Sequence, residues 1–149
     1  MAEIFKLFSS GEPSPTTHTY ESANRILPII RRYTEEAYQE TETLAAKLPN
    51  FQKNSAQYRA IAQQYDYIVA KWVERVHRVG GLAKGLWLVD FDTGNGYLCW
   101  VYPEERVEHF HSYDSGFKSR MKWTEALGVS KKKSPPSSSE RPQPPAPTL

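Results

Sequence analysis

Two stretches of the chain carry apolar residues at steps of three and four. In the first, Ala23, Ile26, Leu27, Ile30, Tyr33, Ala37, Leu44, Ala45 and Leu48 form a stripe that Thr34 and Thr41 complete. That spacing predicts a helix with one buried flank, close to the heptad period of a helix–helix seam. Thr19 is placed to cap it, and Glu21 falls in the first turn, where a carboxylate meets the positive end of the helix dipole. Pro28 lies inside the pattern, lacks a backbone donor and crowds the preceding turn, so a kink or break is expected near Asn24–Pro28. Pro49 ends the helix. In the second stretch the seam is Tyr58, Ile61, Ala62, Tyr65, Ile68, Val69, Trp72, Val76 and Val79. Asn54 with Gln57 resembles a capping box at its start, and Gly80–Gly81 supplies a C-terminal stop. The short connection makes the two helices antiparallel neighbours.

The period then changes from helical to alternating. Residues 85–120 read as three short strands, joined by a tight turn at Asp92–Gly96 and a longer one at Tyr102–Val107. Placing Asp90 opposite Leu98, and Leu98 opposite His111, separates two faces. One carries Trp87, Val89, Phe91, Tyr97, Cys99, Val101 and Phe110 and is expected to pack on the helices. The other carries Leu88, Asp90, Asp92, Leu98, Trp100, Tyr102, His109, His111 and Tyr113. A slip of one residue exchanges the faces of a strand.

The predicted architecture is α+β: a long antiparallel helical hairpin packed on a three-stranded antiparallel β-meander. The domain is expected over residues 18–127, with a loose N-terminal segment at 1–17, where Ile4, Phe5, Leu7 and Phe8 are able to dock locally. A proline-, serine- and lysine-rich tail at 128–149 has too little to bury to offset its ordering entropy. Helices on the order of 40 Å long outrun strands of about 23 Å. Either the far end of the hairpin is a self-sufficient two-helix coil or another chain covers it, and this mismatch is the ground for expecting a protein partner or a second copy.

Composition narrows the picture modestly. A net charge of +2 implies no partner, and the one basic run, Lys131–Lys133, lies in the tail. RNA stacking on an aromatic sheet needs a basic rim, and Asp90, Asp92, Glu104, Glu105 and Glu108 oppose Arg106, Lys118, Arg120 and Lys122, so nucleic acid is not an expected partner. Cys99 is the single cysteine and fits a reducing compartment. No apolar run approaches the roughly 18 residues of a membrane span, and the first residues lack a secretory pattern, so a soluble cytoplasmic protein is expected.

Four chemistries compete on the second face. His109 and His111 point the same way on a strand, and with Asp90 they suit zinc or iron, though a half-exposed histidine pair explains them too. Cys99, His111 and Asp114 are the types of a thiolate, base and orienting acid, but the expected pairing sends Cys99 and His111 to opposite faces. Gly80–Gly81 and Gly94–Asn95–Gly96 match no nucleotide loop. Leu88, Leu98, Trp100 and Tyr102 would form a protein-binding patch unless the segment Asp114–Trp123 folds back over them.

Several motifs are shared with a known family. TYESANRILPII, through Ala23, Asn24, Leu27 and Pro28, is one. Leu88-Val89-Asp90-Phe91, Leu98-Cys99-Trp100, and His111, Asp114, Gly116, Phe117 and Arg120 are the others. With these the chain resembles an uncharacterised bacterial family, the domain of unknown function 2203, over roughly His18 to Arg120. The resemblance implies no activity. The family pattern has an aromatic where this chain has His109, which weakens the metal reading. The matched polar residues make Asp90, Trp100, His111, Asp114 and Arg120 the candidates for a ligand or partner site, with a buried structural network as the alternative. No catalytic residue, metal or cofactor is assigned. The expected function is a non-enzymatic protein-interaction or scaffold module, working with a protein partner or as a homodimer through the helical hairpin. The alternative is a small-ligand or metal-binding protein using the Asp90/His111 face.

Overall fold

The computed structural model describes Phe8 and residues 16–124. Helix α1 spans Tyr20–Lys47 and α2 spans Ala56–Arg78, antiparallel and joined through a short 3-10 turn at Leu48–Asn50. The sheet follows as β1 (Leu82–Gly85), β2 (Leu88–Asp92), β3 (Tyr97–Val101), β4 (His109–His111) and β5 (Met121–Lys122), in that spatial order and antiparallel throughout. The α+β class and the hairpin-on-meander plan hold, with five strands where three were expected. The two extra strands gave little signal: β1 is four residues long and β5 only two. Of the N-terminal residues expected to dock, Phe8 packs against the core. The expectations for Ile4, Phe5, Leu7 and the tail from 128 lie outside the described residues.

Thr19 caps α1 in a reciprocal box with Ser22. The box uses a short hydroxyl at the third position rather than a long acid. The cap of α2 is Ser55, one residue later than Asn54, with its hydroxyl accepting from Tyr58 N–H. Pro28 does not break α1, which runs on for five further turns. Four residues before it, the Asn24 side chain bonds both its own helix and the loop before β4. Its Nδ2 donates to Tyr20 O at 3.1 Å and also reaches across to Val107 O at 3.1 Å, and its Oδ1 accepts from Val107 N–H at 2.9 Å.

The buried stripe of α1 is Ala23, Leu27, Ile30, Thr34, Ala37, Thr41 and Leu44. The two threonines survive there because each hydroxyl donates back to its own helix. Thr34 also accepts the Trp72 indole N–H from α2 at 2.8 Å. The sheet contributes Ala83, Val89, Phe91, Leu98, Trp100 and Phe110, all fully buried.

The expected pairing was wrong by one residue on each side of β3. Asp90 pairs with Cys99 rather than Leu98, and His111 pairs with Tyr97 rather than Leu98. The turn holds four residues, Thr93–Gly96, closed by Thr93 N–H to Gly96 O at 2.9 Å and Gly94 N–H to Asp92 Oδ1 at 2.9 Å. That extra turn residue inverts β3. Leu98 and Trp100 enter the core, while Tyr97 and Cys99 join the acids and imidazoles on the other face. The expected Leu98–Trp100 docking patch therefore does not exist.

Candidate functional site

Strand alternation now gathers Asp90, Asp92, Tyr97, Cys99, His109 and His111 on the face away from the helices. Of these, Asp90, Asp92, Tyr97, Cys99 and His111 are buried, because residues after β4 fold over them. Tyr113 lays its ring edge on Tyr97 and donates its hydroxyl to Asp92 Oδ1 at 2.6 Å. Burial and that bond push the Tyr113 phenol well above its usual range. Arg120 closes the other end. It forms a two-armed ion pair with Glu104, stacks on Phe117, and points Nη1 at Cys99 Sγ from 3.9 Å.

The centre is a trio. The donor atoms of Asp90, Cys99 and His111 all lie within 4.8 Å of one another. His111 Nε2 faces Asp90 Oδ2 at 3.1 Å, and its Nδ1 faces the Ser112 carbonyl at 2.9 Å. Both ring nitrogens thus meet acceptors. Burial disfavours the imidazolium, but the Asp90 bond and charge, with the Ser112 and Ser115 carbonyls, outweigh it and raise the His111 pKa. Asp90 Oδ1 is buried and receives no N–H or O–H bond from the described residues. Beside it, burial first and the Asp90 charge second push the Cys99 thiol far up, against the weaker opposing pull of Arg120.

These facts bear on the competing chemistries. A nucleophilic cysteine needs a lowered pKa, access, and a free base. Cys99 is fully buried, its thiol is raised, and His111 is engaged at both nitrogens. The third member expected for that triad, Asp114, is exposed and outside the cluster. The expected metal set also changes: Cys99 takes the place given to His109. His109 sits directly opposite Cys99, with a buried Nδ1 3.8 Å from Glu104 Oε2. Burial, then Arg120, lowers its pKa.

Of the five candidate residues, Asp90 and His111 bond directly, and Arg120 reaches the trio through Cys99. Trp100 belongs to the core instead, where its indole donates to the Glu104 carbonyl at 2.7 Å. Asp114 stays at the surface. Cys99, weighed only as a nucleophile and placed on the other face, and Glu104 are not among those five. The turn length would have revealed Cys99, whereas Glu104 follows Pro103 in an irregular loop and carries no periodic signal.

Fold and cluster together define a small α+β domain in which a helical hairpin backs a sheet whose outer face is polar and covered. The chain belongs to the family described as "Uncharacterized conserved protein (DUF2203)", whose model matches residues 16–123. No curated protein and no solved structure matches it. Among the described residues no helix is long and apolar enough to cross a membrane.

Proposed function

We propose that this protein is a non-enzymatic interaction module whose partner is a second copy of itself, held through the helical hairpin. The observation that carries this reading is a groove along the hairpin, turned away from the sheet. Asn24, Arg31 and Tyr38 reach Val107, Glu104 and Tyr102 on the sheet side, at seven-residue steps that keep to one flank of α1. Tyr33, Glu36, Glu40 and Thr43 lie on the opposite flank and line the groove with Gln64, Tyr67, Ile68, Lys71 and Arg75 of α2.

The α1 wall carries Glu36 and Glu40 and the α2 wall Lys71 and Arg75, with Arg75 and Glu36 forming an exposed pair at 3.5 Å within the chain that the second copy's charges would exchange with. A two-fold axis parallel to the helices, in the plane of the face, sets each wall against its opposite in the other copy, a self-complementary arrangement suited to an isologous interface. Tyr67, 62% exposed, is the aromatic anchor on this face. The face measures about 35 Å by about 20 Å, or roughly 700 Å² per copy, near the ~800 Å² per partner of a standard interface. The free, buried Cys99 thiol supports a reducing compartment, the cytoplasm, as the setting.

Sedimentation equilibrium of the full chain from low to high micromolar concentration tests this. A monomer–dimer equilibrium is expected. Glu36→Lys with Glu40→Lys shifts it to monomer, and adding Lys71→Glu with Arg75→Glu restores it. A strict monomer throughout refutes the reading.

A further inference from the structure

We propose that Asp90, Cys99 and His111 form a binding site for one divalent transition-metal ion of the zinc class, fastening residues 112–120 onto the sheet. The three residues come from three adjacent strands, so the backbone hydrogen-bond ladder fixes their spacing. Zinc bonds of about 2.0–2.3 Å to oxygen, nitrogen and sulfur in a tetrahedron place donor atoms roughly 3.3–3.6 Å apart. His111 Nε2 and Asp90 Oδ2 stand at 3.1 Å, and every pair in the trio lies within 4.8 Å. Closing the trio on an ion therefore takes rotamer adjustments on the order of 1 Å, not a rearranged sheet.

Three independent features point to a cation. Asp90 Oδ1 is buried and receives no N–H or O–H bond from the described residues, with the neighbouring Cys99 thiol as the remaining donor to Asp90, on a side chain only 4% exposed. A buried carboxylate oxygen without an N–H or O–H donor is costly, and a metal bond removes that cost. His111 already gives its Nδ1–H to the Ser112 carbonyl, which is the outer bond that orients a metal-binding imidazole through Nε2. Arg120 Nη1 lies 3.9 Å from Cys99 Sγ, placed to donate to a ligating thiolate while Glu104 balances its charge.

Thiolate and carboxylate together bring two negative charges, which a divalent ion neutralises in this buried setting. A mixed sulfur, nitrogen and oxygen set selects zinc-like ions over magnesium or calcium. Three protein ligands leave a fourth position for water. The binding of the ion ties β2, β3 and β4 to the start of the covering segment, because His111 and Ser112 adjoin it.

The test is titration of the full chain with Co²⁺, reading the near-ultraviolet thiolate-to-cobalt charge-transfer band. Cys99 is the only cysteine in the chain, so the band in the wild-type protein assigns itself. The expected result is a band saturating at one Co²⁺ per chain and reversed by Zn²⁺. Cys99→Ser abolishes it, while His109→Ala, outside the trio, retains it. Wild-type protein that shows no charge-transfer band, or a band undiminished in folded Cys99→Ser, overturns the proposal. A variant that fails to fold leaves the wild-type spectrum decisive.

Discussion

Asp90→Asn, in metal-free protein with chelator present, isolates what the Asp90–His111 pair contributes to the fold. The two side chains are 4% and 5% exposed and 3.1 Å apart, so solvent screens them little. Removing one partner of a buried pair costs about 3–5 kcal/mol, since the other charge is left uncompensated. Asparagine still accepts the Nε2–H through its own Oδ1, and a neutral bond recovers about 1 kcal/mol. The net expectation is roughly 3 kcal/mol, equivalent to a Tm lower by about 12 °C or more for a domain of this size. Urea unfolding followed by tryptophan fluorescence measures it, with the slope of free energy against denaturant unchanged. Asp90→Asn with His111→Gln should be less destabilised than the sum of the single variants, by at least about 1.5 kcal/mol. A loss below about 1 kcal/mol for Asp90→Asn, or strict additivity, refutes a buried coupled pair.

Other outcomes follow from the same packing. Thr34→Val keeps the shape but strands the Trp72 indole N–H, and should cost about 1–3 kcal/mol in the same urea assay. Gly96→Ala should destabilise by about 2 kcal/mol or more. Its φ is +158°, and a Cβ there meets the His111 carbonyl at 2.9 Å and collides with Phe110. His18 is lowered below 6.5 by burial, against the opposing pull of the Gly80 carbonyl and Asp92, while Nε2–H donates to Gly80 O at 3.1 Å. The unfolded chain then binds more protons, so this contribution is complete above about pH 6.5 and declines as pH falls toward the folded value. His18→Gln should flatten that acid-side decline in a pH series of unfolding midpoints.

The helices were legible because their stripes combine apolar and polar positions. Glu35, Glu36, Glu40 and Arg32 mark the outer flank of α1, so the 3.6-residue period shows where the core lies. Strands β2 and β4 were legible for the same reason: Asp90 and Asp92, or His109 and His111, alternate with Phe91 or Phe110. Strand β3 reads Tyr-Leu-Cys-Trp-Val, and both of its alternations are apolar. It holds no charged residue to report a face, so its orientation fell to the turn, where three or four residues fit Thr93–Gly96 equally well. One residue in that turn decides whether Cys99 is core filler or neighbour to Asp90 and His111. Arg120 and Glu104 meet across irregular backbone, sixteen residues apart, where no periodicity operates.

Everything at the site depends on Cys99 sharing a face with the acids and imidazoles, and disulfide trapping measures that directly. Cys99 stands opposite His109, and opposed residues on antiparallel strands have Cα atoms about 4.5–5.5 Å apart, within disulfide range. Mild oxidation of His109→Cys should consume both thiols in an intramolecular bond, while Phe110→Cys should keep its thiols free. Cross-linking by Phe110→Cys and not by His109→Cys would return β3 to the other register and dissolve the trio.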